Sequence, residues 1–278
     1  MENIEYLKEK AQEIKSLTLN MCINACTGHV TSSFSCVEVL TALYHGKILK
    51  YDIKNPKWEN RDRFILSKGQ ASPILYAVLA NTGFFPKEWL NKFCCADGHF
   101  GVHLQNDVPG VEITSGSLGQ GFGVAVGIAL AAKMDRKDHL TFALLGDGEC
   151  YEGSIWEAAM FAAHNRLNNL VAIIDRNWLC VTDFTENLVK LNPLDKKWEA
   201  FGWEVKNIDG HNFEEILEAL KDIRSRKRDK PYLIIADTVK GKGISFMQYK
   251  PLWHGLAPSG ENADMAKNEI KCEVNNYD

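Results

Sequence analysis

The chain opens on a helical rhythm. Ile4, Leu7, Ala11, Ile14, Leu17 and Met21 recur at three- and four-residue spacing with Glu and Lys between them, which predicts an amphipathic helix. A second helix is predicted over Cys36–Tyr44, and a third after SKGQASP at roughly Ile74–Asn81, ended by Gly83 and Pro86. Residues 95–120 are rich in Gly, His and Asp and poor in apolar runs, which marks a long functional loop. Gly119–Met134 (GQGFGVAVGIALAAKM) is small and apolar, predicting a helix packed tightly in the interior. From residue 140 the period changes. LTFALL (140–145), LVAIID (170–175), WEVKNI (203–208) and YLIIAD (232–237) read as strands. Between them lie helices at Ile155–Asn165, at Leu194–Phe201 and from Asn212 to about Arg224, the last opened by Asn212 and Glu215 as a capping box. Apolar strands alternating with helices predict an α/β fold with a mainly parallel sheet and helices on both faces. The expected organisation is a single domain over 1–278, with a polar, frayed or partner-dependent tail from about 260.

Composition narrows the class. The 278 residues are 45% hydrophobic and 24% charged with a net charge of −4, so a large core is expected and global disorder is not. The mild acidity gives no reason to expect nucleic acid or a membrane as partner. The basic run RSRKRDK (224–230) sits where a helix C-terminus favours cations. Eight cysteines without a CxxC point to reduced thiols, several of them buried. The N-terminus has no apolar signal core, and the longest apolar run, about 124–132, is far below the ~20 residues of a membrane span. A cytoplasmic location is expected.

In an open α/β sheet, ligands bind beyond the C-terminal ends of the strands. One such end reads LLGDGE. Gly146 and Gly148 flank Asp147 where a strand turns toward a helix, a place where backbone approaches a phosphate closely and free N–H groups face it. An aspartate there repels the phosphate unless a divalent cation lies between them. The next strand end, IIDRNWL, carries Asp175 and Asn177. Thirty residues separate Asp147 from Asn177, the length of one strand–helix–strand crossover, so the two loops are expected side by side. A carboxylate, an amide oxygen, a backbone carbonyl and two diphosphate oxygens nearly complete an octahedron suited to Mg²⁺. The GxxxxGK[ST] and helix-opening GxGxxG phosphate fingerprints are absent, as is HExxH.

The segment GDGECYEGSIWEAAMFAAHNRLNNLVAIIDRN resembles the thiamine-diphosphate signature in its transketolase version. TGHVTSS (27–33), DRFILSKGQASPILYAVLA (62–80), GVEITSGSLGQGFGVAVGIALAAK (110–133), DTVKGKGISFM (237–247) and WHGLAPS (253–259) extend the likeness. Over about residues 4–260 the chain is similar to the transketolase N-terminal region, in particular to free-standing N-terminal subunits of split bacterial transketolases. The resemblance implies Asp147, Asn177 and the Leu179 carbonyl as ligands of Mg²⁺, with Ca²⁺ or Mn²⁺ as substitutes. It implies that Gly148 and Asn177, with Gly146 and Glu149 of the same stretch, hold thiamine diphosphate. Gly116, Ser117 and Leu118 match the stretch against its aminopyrimidine, and Glu152 matches a glutamate of a cofactor-coupled interface between chains. His29 matches a histidine near the reactive carbon and the donor hydroxyls, and His254 one that contacts diphosphate and substrate. Imidazoles suit proton exchange with sugar oxygens near pH 7. His45, His139 and His211 read as structural.

The departures cluster where substrate is expected. The SKGH of relatives reads Ser67-Lys68-Gly69-Gln70, and an amide cannot shuttle a proton. The GHP segment is altered, leaving His99 or His103 for the donor contact, with counting slightly favouring His103. WHGKAP reads WHGLAP, with Leu256 in place of Lys. An unusual donor is therefore expected, such as a branched, deoxy or sulfonated sugar. The implied activity is transfer of a two-carbon ketol unit from a ketose to an aldose. The implied partner is a C-terminal subunit carrying the pyrimidine-binding domain and its activating glutamate, in an α₂β₂ assembly. The alternatives are another thiamine enzyme, similar to 1-deoxyxylulose-5-phosphate synthase or a 2-oxo acid dehydrogenase, and a non-catalytic cofactor-binding chain.

Overall fold

The computed structural model describes residues 3–221, 223–225 and 229–273. The first half is mostly helical. α1 (Ile4–Ala25) is capped by the Asn3 side chain, which accepts from the Tyr6 N–H, and it ends at Cys26 in the left-handed region. A short α2 (Val30–Phe34), with His29 as its N-cap, precedes α3 (Val37–His45). β1 (Arg63–Leu66) leads into α4 (Ser72–Thr82), which stops at Gly83 with φ 100°. No regular α-helix or strand lies between α4 and α5 (Gln120–Met134), as the Gly- and His-rich composition predicts.

The second half alternates. β2 (Thr141–Gly146), α6 (Gly153–His164) and β3 (Leu170–Arg176) follow the predicted spans closely. A small hairpin, β4 (Leu179–Cys180) and β5 (Asp183–Phe184), runs into α7 (Thr185–Leu188). α8 (Leu194–Ala200), β6 (Glu204–Asp209), α9 (Phe213–Leu220), β7 (Tyr232–Asp237) and α10 (Glu261–Glu273) complete the order.

The five-stranded sheet runs β1-β2-β3-β7-β6, with every pair parallel. Residues alternate between two buried faces. Leu66, Phe142, Leu144, Val171, Ile173 and Ile234 meet α1, α3, α4 and α9 on one side. Ile65, Ala143, Leu145, Ala172, Ile174 and Leu233 meet α5, α6 and α8 on the other. Among the described residues no helix is long and apolar enough to cross a membrane.

Four expectations change. β1 had no prediction of its own, because RFIL is short and sits inside a motif. α5 is not enclosed. Its Phe122, Ala125, Val126 and Ala129 are buried, but Val124 and Met134 face outward at 42% and 73% exposure. α9 stops at Leu220 rather than near Arg224, which instead reaches across to pair with Asp62. Asn212 does cap α9, accepting from the Glu214 and Glu215 N–H groups at 2.9 and 3.3 Å, while Glu215 accepts from Asp209 N instead of closing the box. Residues 226–228 of the basic run lie outside the described residues. Finally, the expected frayed tail is α10 up to Glu273. Ala263, Ala266 and Ile270 bury one narrow stripe against the body, and Glu269 accepts from both N and Oγ of Ser245 at 2.6 and 2.7 Å. Residues 274–278 of that tail lie outside the described residues.

Candidate active site

The register of β2 and β3 builds the first part of the site. Gly146 pairs with Asp175, so the loops that carry Asp147 and Asn177 leave the sheet side by side. Asp147 is buried. Its Oδ1 accepts from Gly148 N at 2.8 Å, and its Oδ2 from Trp178 N at 2.7 Å and Arg176 Nη1 at 3.1 Å. Burial pushes its carboxyl up to about 6 against the pull of Arg176. A nearby cation favours the ionised form. Asn177 donates to Asp175 Oδ2 at 2.9 Å, and its Oδ1 accepts from Leu179 N at 3.2 Å. Gly148 has no room for a side chain, since a Cβ there would lie 2.9 Å from Cys180 Sγ. Among the described residues no three His, Cys, Asp or Glu side chains form a metal cage. The oxygens available are one carboxylate, one amide and backbone carbonyls, a hard set suited to Mg²⁺ shared with a diphosphate.

Beneath these loops lies a buried network that motif reading passed over. Lys68 pairs with Asp175, and both side chains are 1% exposed. Asp175 also accepts from Ser35 Oγ at 2.6 Å and from Thr238 Oγ1, and Lys68 donates to the Ser32 carbonyl at 2.8 Å. Lys240, buried as well, lies 2.9 Å from His254 Nδ1 and 3.5 Å from the Leu179 carbonyl. Burial lowers its ammonium to about 8, with Asp147 opposing. The available signal was a lysine set directly against a strand end, Lys68 after RFILS and Lys240 after YLIIADTV, where a solvated side chain is hard to place.

The histidines converge from distant segments. His29 lies 5.3 Å from His254 and 6.1 Å from His103, ring centre to ring centre. Burial lowers His29 to about 4, helped by His103 and Lys240, and lowers His254 to about 4, helped by Lys240 and His29. His103 is held close under the loop of Gly116, where a Cβ would come within 3.2 Å of its ring. The SKGQ segment meets the same loop, since a Cβ on Gly69 would lie 2.8 Å from Gly116 N. Two buried polar atoms here, His29 Nδ1 and Gln70 Oε1, have no hydrogen-bond partner in the protein. Groups of this kind await a partner from outside the chain.

Two expected site residues are not at the site. His99 stacks on Trp89 at 3.9 Å, whereas His103 lies in the cluster with His29. Glu149 does not face outward. Its Oε1 accepts from Ser67 Oγ and from Gly119 N at 2.8 Å, and its Oε2 from Gly146 N at 3.1 Å. It ties together β1, β2 and the start of α5, a fastening that a short GDGE string cannot disclose. Gly119 itself is left-handed at φ 82°, and a Cβ on it would strike Ser154 and Glu152. Ser117 and Leu118 lie in the partly open loop before it, and Glu152 is the exposed N-cap of α6.

A parallel sheet whose C-terminal edge gathers a carboxylate, an amide and free backbone groups beside a cluster of imidazoles defines the class: an α/β protein with its candidate ligand site beyond the strand ends. The particular family follows from comparison. Residues 7–276 match the family model described as "Transketolase, thiamine diphosphate binding domain". The chain belongs to the transketolase family. It is 42% identical to a 6-deoxy-6-sulfo-D-fructose transketolase subunit of Clostridium sp. (strain MSTE9), over 96% of this chain and 97% of that one. It is 39% identical to one of the subunits of an apulose-4-phosphate transketolase from Actinobacillus succinogenes, over 98% and 99%. A crystal structure of Campylobacter jejuni transketolase superposes with a TM-score of 0.89 at 34% identity, covering 97% of this chain and 43% of that one. The chain thus spans less than half of that transketolase and nearly all of the named subunits. It is an N-terminal, thiamine-diphosphate-binding subunit of the split transketolase type, a transferase.

Proposed function

We propose that this chain, with a second subunit, moves a two-carbon ketol unit from a ketose to an aldose using thiamine diphosphate and Mg²⁺. The observation that carries this reading is the β2–β3 register, which sets Asp147 and Asn177 in adjacent loops, with Lys240 linking the Leu179 carbonyl to His254 of the histidine cluster. Asp147, Asn177 and the Leu179 carbonyl hold the cation, with Ca²⁺ or Mn²⁺ as substitutes. Gly148 and Lys240 face the diphosphate, and Gly116, Ser117 and Leu118 the aminopyrimidine. The cofactor supplies the electron sink for breaking a carbon–carbon bond next to a ketose carbonyl. The chain's own part is to orient the donor and exchange its protons. Neutral His29 and His254 suit that exchange, and His103 and Gln70 line the donor side.

Donor identity is read from Gln70 and from the relatives. An amide at this position holds a hydroxyl without moving its proton. The similar subunits are named for 6-deoxy-6-sulfo-D-fructose and for apulose 4-phosphate. These support a donor of that kind over xylulose 5-phosphate. A partner is supported by the named subunits and by an open apolar face. Val124 on α5 and Met160 and Phe161 on α6 are exposed, and Gly123 and Gly127 have nothing within 4 Å of a built Cβ. The partner contributes the pyrimidine-binding domain with its activating glutamate, in an α₂β₂ assembly with Glu152 at the interface. A cytoplasmic setting agrees with the free cysteines.

The test is to purify the chain with its partner, add Mg²⁺ and thiamine diphosphate, and assay two-carbon transfer across a ketose panel. Preference for xylulose 5-phosphate would remove the donor assignment, and no transfer from any ketose would remove the activity. Asp147→Ala should abolish Mg²⁺-dependent thiamine diphosphate binding by calorimetry while the fold persists. Unchanged binding would refute the metal assignment.

A further inference from the structure

Arg176 and Trp178 bracket Asn177, yet neither belongs to the ligand set above. Arg176 closes β3 and is 3% exposed. Its Nη1 donates to Asp147 Oδ2 at 3.1 Å and to Thr185 Oγ1 at 2.7 Å, and its Nη2 to Glu186 Oε1 at 2.6 Å. The guanidinium carbon also lies 4.0 Å above the centre of the Trp178 ring, well within cation–π range. Trp178 sits at φ 70°, a conformation that a bulky residue adopts only when its surroundings enforce it. The enforcing contacts are visible. Its N–H donates to Asp147 Oδ2 at 2.7 Å, its carbonyl accepts from Thr185 N at 2.9 Å, and its indole N–H donates to Asp237 Oδ1 at 2.6 Å.

We propose that Arg176 and Trp178 form a clamp of positioning residues that fixes the Asp147 carboxylate and the Asn177–Leu179 turn for a divalent cation. The clamp sets the metal dependence of cofactor binding without touching metal or cofactor. Both residues hold Oδ2 of Asp147, which leaves Oδ1, with Gly148 N as its partner, as the oxygen offered to a cation. The left-handed turn at Trp178 reverses the chain between Asn177 and Leu179, so the amide oxygen and the carbonyl come from one short segment. The stacked guanidinium and the Asp237 bond keep that turn from relaxing. Arg176 further ties the site to the β4–β5 hairpin and α7 through Thr185 and Glu186. Outer partners of metal ligands typically change metal affinity about 10–100-fold when removed.

This inference rests on the thiamine diphosphate and Mg²⁺ reading, and the test separates the two. In the two-chain complex, thiamine diphosphate binding is titrated calorimetrically at a series of Mg²⁺ concentrations. Arg176→Met should raise the Mg²⁺ needed for half-maximal binding about 10–100-fold, with saturating Mg²⁺ restoring it. Arg176→Lys should recover part of the loss. Trp178→Leu is a second variant, because Arg176 also anchors the hairpin, and it should give a smaller rise in the same direction. A general loss of structure would lower binding at every Mg²⁺ concentration alike, and that result overturns the clamp. So does wild-type Mg²⁺ dependence in both Arg176→Met and Trp178→Leu, with the cofactor reading left standing. Wild-type complex that binds no thiamine diphosphate in Mg²⁺ overturns both.

Discussion

Replacing Lys68 by Met keeps the side-chain length and removes its charge from a closed corner under the site. Asp175 then stays 1% exposed with Ser35, Thr238 and Asn177 as donors but without its cation. Breaking a buried pair from one side costs about 3–5 kcal/mol, because the other charge remains buried. Three surviving hydrogen bonds place Asp175 near the lower end, about 3 kcal/mol. At roughly 2 °C per kcal/mol for a chain of this size, the melting temperature falls by about 6 °C. The pH response gives a second signature. Burial pushes the Asp175 carboxyl up, but the Lys68 charge and the bonds from Lys68, Ser35 and Thr238 outweigh it, leaving the group below its ordinary value. A carboxylate depressed by folding contributes stability above its unfolded pKa, and that stability is lost as pH falls through the folded value. In Lys68→Met burial dominates and the sign reverses, so the deficit is largest near pH 8 and shrinks toward pH 5. Urea unfolding at several pH values reads both quantities. A loss below about 1 kcal/mol, well short of a broken buried pair, would refute the reasoning, as would a deficit that does not change with pH.

Other outcomes follow from the same groups. Gln70→Leu removes a buried acceptor that has no protein partner, so thermal stability should hold or rise slightly. Ketose kcat/KM should fall about 5–150-fold, the equivalent of about 1–3 kcal/mol. A large melting-temperature loss with unchanged kinetics would reverse the assignment. His29 and His254 are held neutral down to about 4, whereas the unfolded chain takes up their protons near 6.5. Stability should therefore decline as pH falls from about 6.5 to 4, because the unfolded state binds more protons there. Melting curves of a His29→Asn/His254→Asn variant should be flatter over that range.

Much of this was legible in the chain. β2, β3 and β7 announce themselves because both faces are buried, which leaves long apolar runs bounded by polar turns. The Asp147–Asn177 spacing is equally plain, since one crossover unit has a nearly fixed length. Elsewhere the signal is degenerate. An all-apolar small-residue helix such as α5 looks the same whether its second face meets core or open surface. α10 shows only Ala263, Ala266 and Ile270 amid polar neighbours, too thin a stripe to separate from a tail. His99 and His103 are four residues apart in an irregular loop, and only the packing of Trp89 separates them. Lys68, Asp175 and Lys240 are charged residues whose burial is decided by three segments at once, so a lysine just past a strand end hints at the network without showing its partners.

The strand order has a bearing on how the chain comes into being. Among the described residues β7 is the last strand made, yet it lies between β3 and β6, both of which precede it. A nascent chain that has emerged only as far as Asp209 leaves β3 as an open edge and β6 without its sheet partner. Unpaired edges accept any extended segment on offer, and non-local parallel pairing is slow. Synthesis that stalls before Tyr232 therefore leaves an intermediate primed to borrow a strand from a neighbouring molecule. The last residues of the sheet close the fold and also close off its route to misassembly.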